Sequence, residues 1–176
     1  VVPAGRMPAS MRALRPARPC DYAAMDSFLR LGLSEALARG LASLGFAEPT
    51  PVQAAAIPPL LAGKDALLES ETGTGKTFAY LAPALTAASQ AERPSDGPAA
   101  LVVAPTQELA VQIGRETERL ARAAGIEPSV LVILGGTPIV KQEAKLQSRP
   151  RIVVGPVGRI ADLVTLRKLR VGGLRY

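Results

Sequence analysis

The sequence predicts an α/β domain, a parallel sheet with helices on both faces. Three observations predict it. Short apolar runs without polar alternation recur, as in Leu101-Val102-Val103 and Ile152-Val153-Val154; segments with apolar residues three to four apart separate them; Gly or Pro marks the junctions. Strands buried on both faces lose the in-and-out alternation, and parallel neighbours need a crossover, usually a helix.

Residues 1–24, rich in Pro, Ala and Arg and lacking any period, read as a flexible extension, with a transit-peptide-like composition as the alternative. The domain is expected over 25–176. Leu37, Leu41 and Leu44 mark a helix with Ser34 as N-cap and Gly45 as stop. Thr50 caps a second helix with Pro51 at its first position, running to about Leu61 and ending at Gly63. Ala66-Leu67-Leu68 is expected as a short buried strand leading into Gly73. Beyond it come a helix over 77–88, a loop over 93–98, a strand over 101–103 and a helix over 106–124. A strand over 130–134 ends at Gly135-Gly136; a helix over 138–147, a strand over 152–154 and a helix over 158–166 complete the reading.

Composition narrows the chemistry. The chain has one cysteine, Cys20, and no histidine, which excludes an internal disulfide, the common zinc sites and Ser/His/Asp triads. A lone unpaired thiol fits a cytoplasmic setting. No run approaches the roughly 18 apolar residues of a membrane span. The net charge of +6 is unevenly placed: 141–176 carries nine Lys or Arg against Glu143 and Asp162, whereas 25–140 has eight basic residues against twelve acidic. The basic end reads either as a nucleic-acid surface or as a solvated face.

The strongest chemical signal is Ser70-Glu71-Thr72-Gly73-Thr74-Gly75-Lys76-Thr77, ahead of an apolar helix. Gly73 and Gly75 let backbone N–H groups approach phosphate oxygens, and the helix presents its positive dipole end to the same anion. Lys76 supplies charge to the outer phosphates, and the Thr77 hydroxyl can ligate Mg2+. Thr72 and Thr74 complete the loop, and Ser70 stands where the general pattern prefers Gly or Ala. A plain turn and helix cap is the alternative.

The segment Gly45-Phe46-Ala47-Glu48-Pro49-Thr50-Pro51-Val52-Gln53, seventeen residues after Phe28, resembles the Q motif of DEAD-box RNA helicases. Taken alone, Gln53 is an amide at a helix start, able to donate and accept. The resemblance implies that Gln53 reads the adenine edge of ATP, that Phe46 lies beside the base and that Phe28 supports the loop. Ala104-Pro105-Thr106-Gln107-Glu108-Leu109-Ala110 resembles the family's Ia motif, with Gln107 in place of the usual Arg. Gly135-Gly136 resembles the glycine pair that approaches the RNA backbone, although a strand-end turn also favours glycine. Gly155-Pro156-Val157-Gly158-Arg159 resembles motif Ib, with Pro156 and Val157 departing from the pattern. The resemblance assigns RNA contacts to Pro105, Thr106, Gln107, Gly135, Gly136, Gly158 and Arg159; a solvated Arg159 is the alternative.

What the resemblance implies is a RecA-like phosphate-loop domain that uses ATP and Mg2+, acts on RNA and works with a second RecA-like domain. The strand-borne acids that hydrolysis requires have no counterpart in the sequence: Asp162 is expected within a helix, and Glu69 precedes the phosphate loop on its own strand. This chain alone is therefore expected not to hydrolyse ATP. Another phosphate-loop enzyme, such as a small kinase, and a nucleotide-independent RNA-binding scaffold remain as other readings.

Overall fold

A computed structural model describes residues 19–91 and 96–176. Seven helices and three strands follow in the order α1 (Pro19–Leu29), α2 (Glu35–Ser43), α3 (Pro51–Leu61), α4 (Lys76–Gln90), β1 (Ala100–Ala104), α5 (Gln107–Ala123), β2 (Val130–Val132), α6 (Ile139–Leu146), β3 (Ile152–Pro156) and α7 (Val157–Thr165). Most of the extension expected over 1–24 lies outside the described residues, and 19–24 form the start of α1 rather than irregular chain.

The sheet is parallel and ordered β1-β3-β2, so the last strand inserts between the first two. Ala100 pairs with Ile152 and Ala104 with Pro156 on one side; Val130 pairs with Ile152 and Val132 with Val154 on the other. Being central, β3 is buried on both faces, which explains its unbroken apolar run. Successive side chains point to opposite faces. Ile152 and Val154 accordingly join the larger core with residues of α1 to α5, whereas Val153 joins a smaller one with Ile160, Leu163 and Leu169. The close approach of α5 to the sheet depends on Gly114, where a Cβ would fall 2.3 Å from Val132 Cγ2.

Local signals set the helix starts. Ser34 Oγ accepts from Leu37 N at 3.4 Å, and Thr106 Oγ1 from Leu109 N at 3.2 Å. Thr50 and Gln53 form a reciprocal capping box at the start of α3, with Pro51 just inside.

The strand expected at Ala66-Leu67-Leu68 does not form. The segment is irregular, and Leu67 is 93% exposed. Three apolar residues supply a tendency to be buried but no hydrogen-bonding partner, and the central β3 has both edges taken. On the open side of β1, the backbone of 175–176 has already begun to pair: Arg175 N and Tyr176 N donate to Ala99 O, and Leu101 N donates to Tyr176 O at 3.0 Å. For the same reason Glu69 lies on no strand.

Candidate nucleotide site and strand-end loops

Helix α4 has Gly75 as its N-cap and no side-chain cap, unlike α2, α3 and α5. Its first N–H groups are thus left by side chains for another acceptor. Gly73 and Gly75 hold φ of 81° and 91°, a left-handed conformation that side chains rarely adopt. Gly75 is constrained a second time, because a Cβ there would lie 2.6 Å from Gln53 Nε2.

Gln53 is fully buried. Its Oε1 accepts from Thr50 N at 3.1 Å, and its Nε2 donates to Gly75 O at 3.2 Å. The amide thus fastens the start of α3 to the phosphate loop, with one hydrogen and one lone pair left over. Phe46 packs edge-on against Phe78 of α4, ring centroids 5.0 Å apart, and Phe28 is wholly buried in the core beneath. Lys76 is half-buried, its ammonium folded back on the carbonyls of Ser70 and Glu71. Thr77 meets the Tyr80 phenol, whose pKa is raised by burial and partly offset by that hydrogen bond. Burial, with Tyr80 nearby, pushes Tyr176 up to about 12.

The direction of α4 follows from its far end. Arg151, just before β3, donates to Ala88 O at 2.6 Å and Ala91 O at 3.0 Å. Since the C-terminus of α4 meets the start of β3, its 15 residues, roughly 22 Å long, bring Lys76 back toward the strands' C-terminal edge. Ligands of open parallel sheets bind at that edge.

Three loops leave the same edge. Pro105-Thr106-Gln107 follows β1 and is exposed; Gly135-Gly136 lies beyond β2; Val157-Gly158-Arg159 follows β3. Strand pairing sets the first and third side by side. The Gln107 amide covers Gly135, where a Cβ would stand 2.9 Å from Gln107 Nε2, and Gly136 has φ 77°. The reading of Arg159 as a solvated arginine does not hold: its side chain is 13% exposed, Nε donates to Gln142 Oε1 at 2.9 Å, and the guanidinium also donates to Thr137 O. Gln142 in turn donates to Leu134 O at 2.6 Å. The pair therefore ties the loop after β2 to the first turn of α7. Gln142 was legible only as a polar residue in the apolar phase of α6, between Ile139 and Leu146.

Several basic residues of 141–176 lie away from this edge. A cavity of about 660 Å³ includes Arg149 and Arg151 in its lining, and one of about 430 Å³ includes Arg167, Lys168 and Arg170; neither contains a residue of the phosphate loop or the strand-end loops. Much of the basic charge of 141–176 therefore surrounds the opposite end of the sheet. Among the described residues no helix is long and apolar enough to cross a membrane.

Fold and site together define a parallel α/β domain with a glycine-rich loop at the start of a helix. The family model for the DEAD/DEAH box helicase matches residues 50–176. The chain is 40% identical over 147 residues to the DEAD-box ATP-dependent RNA helicase CshA of Bacillus cereus, covering 84% of this chain and 27% of the relative, with the same values for the Bacillus anthracis protein. Among solved structures it resembles the RNA-helicase Prp28 from Chaetomium thermophilum bound to ADP, with a TM-score of 0.71 and 37% identity over 82% of this chain and 35% of that one. S. cerevisiae Dbp5, bound to RNA and ADP BeF3, gives a TM-score of 0.68 and 25% identity over 84% and 36%. The chain belongs to the DEAD/DEAH box helicase family and spans about a quarter of the length of the curated relatives it matches.

Proposed function

We propose that this chain is the nucleotide-binding portion of the first RecA-like domain of an ATP-dependent RNA helicase. The observation that carries the reading is the uncapped start of α4, preceded by two left-handed glycines and followed by Lys76, with Gln53 locked to the same loop. That donor set suits a polyphosphate. Backbone N–H groups of 73–77 and the Lys76 ammonium would hold ATP, Thr77 would hold Mg2+, and Phe46 with the remaining capacity of Gln53 would face the base. ATP supplies the free energy when bound and hydrolysed; this chain's residues orient it.

RNA belongs at the strand-end edge. Pro105, Thr106, Gln107, Gly135, Gly136 and Gly158 present small or neutral surfaces there, α7 starts without a side-chain cap, and Arg159 holds two of the loops in register. The uncharged Gln107 makes the RNA contact less salt-dependent than an arginine would. The likeness to S. cerevisiae Dbp5 bound to RNA supports this assignment. A second RecA-like domain in the whole protein would close over both ligands. The lone Cys20 supports a cytoplasmic setting for the same reading.

Asp162 lies inside α7 and Glu69 on no strand, so neither stands as an acid at the end of a sheet strand. The purified chain is therefore expected to bind ATP and ADP without turning ATP over. Calorimetry should detect binding that Lys76→Ala weakens by at least about tenfold, the loss of one charge-assisted contact. Turnover by this chain that Lys76→Ala abolishes would overturn the inactive part, and indifference to adenosine nucleotides at millimolar concentration would overturn the whole reading.

A further inference from the structure

The phosphate loop satisfies its own polar groups, and the sequence adds one group to do so. The Lys76 ammonium has three hydrogens and three acceptors in reach: the Ser70 carbonyl, the Glu71 carbonyl at 2.6 Å and Ser70 Oγ at 3.2 Å. Thr74 Oγ1 donates its only proton to Glu71 O at 2.9 Å. Ser70 Oγ, 2.6 Å from Thr74 Oγ1, must then donate to it, which leaves a serine lone pair facing Lys76. The proton directions are mutually consistent and close a ring through Ser70, Lys76, Glu71 and Thr74.

Polyphosphate competes for the same three hydrogens. Gly or Ala at position 70 would leave both carbonyls in place and remove only the hydroxyl. We propose that Ser70 is a positioning residue whose hydroxyl stabilises this folded-back conformation of Lys76, holding it away from outer phosphates and lowering affinity for ADP and ATP. The inference rests on the phosphate-loop reading above and adds a residue that tunes it. Ser70 acts through Lys76 and Thr74, without itself needing to touch the nucleotide.

The test compares the full chain with Ser70→Ala, and with Ser70→Gly should the first variant fold poorly. Calorimetry should show ADP and ATP binding tightened about three- to tenfold, the worth of one or two ordinary hydrogen bonds removed from the free state. AMP affinity should not change, because it lacks the outer phosphates. A second readout needs no nucleotide: in the free chain, acetylation of Lys76 by a small amine-reactive ester, followed by peptide mass spectrometry, should be faster in the variant than in the parent. A gain of affinity is not what a damaged fold produces. Unchanged affinity, weaker binding, which would make the hydroxyl a phosphate ligand, or an equal gain for AMP would overturn the proposal. If neither chain binds nucleotide, the functional reading fails; unchanged Lys76 acetylation would then overturn the hydrogen-bonded ring as well, whereas faster acetylation would uphold it.

Discussion

Where the phosphate loop is fastened by side chains, the three strand-end loops hang from hydrogen-bonded backbone. Residues 64–70 pair with no strand, so the loop is positioned by Gln53 from α3, by Lys76 folded upon it and by the start of α4. The loops after β1 and β3 instead begin at paired residues, Ala104 beside Pro156, and the Gln142–Arg159 pair ties the loop beyond β2 to α7. In the first site the half-buried Lys76 can exchange its partners while the buried Gln53 keeps its own. The second changes shape only by breaking a buried polar network, where an unmatched group is costly.

The comparison breaks most sharply at Gly75. Gly75→Ala adds a Cβ 2.6 Å from the buried Gln53 Nε2 at φ 91° and should cost about 2–3 kcal/mol locally, with nucleotide affinity falling at least about tenfold. Thermal melting and calorimetry measure both, and a variant as stable and as tight-binding as the parent would show that Gln53 does not fasten the loop. Gln142→Leu keeps the volume but strands Leu134 O and Arg159 Nε, at an expected cost of about 1–3 kcal/mol. Its RNA affinity should fall while its ADP affinity holds; loss of both together would mean that the two regions are not independent.

The smallest effect concerns the edge of β1. Tyr176 has its pKa raised to about 12, chiefly by burial and then by Tyr80, from the ordinary 10.0. A folded pKa above the unfolded one means that the contribution is complete below pH 10 and lost as pH rises toward 12. Phenolate absorbance should show Tyr80 and Tyr176 titrating late, and Tyr176→Phe should remove the latest step. A titration at the ordinary value would indicate that the chain end does not stay on the sheet.

Much of the fold was legible locally. Ser34 and Thr50 cap the helices they were expected to cap, Pro51 begins α3 as expected, and Thr106, expected only as the start of a helix, caps α5. The phosphate loop's glycines were readable because its backbone conformation demands them. Helix α1, over 19–29, was missed because the sequence Pro19-Cys20-Asp21-Tyr22-Ala23-Ala24 carries no apolar period. The role of Gln142 was missed because burial of an amide depends on a carbonyl eight residues away and a guanidinium seventeen residues away.

Six of the seven described helices, the three sheet strands, the phosphate loop and the family are written in spacings of a few residues and could be read from them. Only the tertiary structure decided that β3 lies between β1 and β2, that 66–68 stays unpaired, that Arg159 is buried against Gln142, and that Ser70 closes a ring on Lys76. The physical reason is that a strand's partner and a polar group's acceptor are chosen among distant parts of the chain, by geometry that no local periodicity encodes.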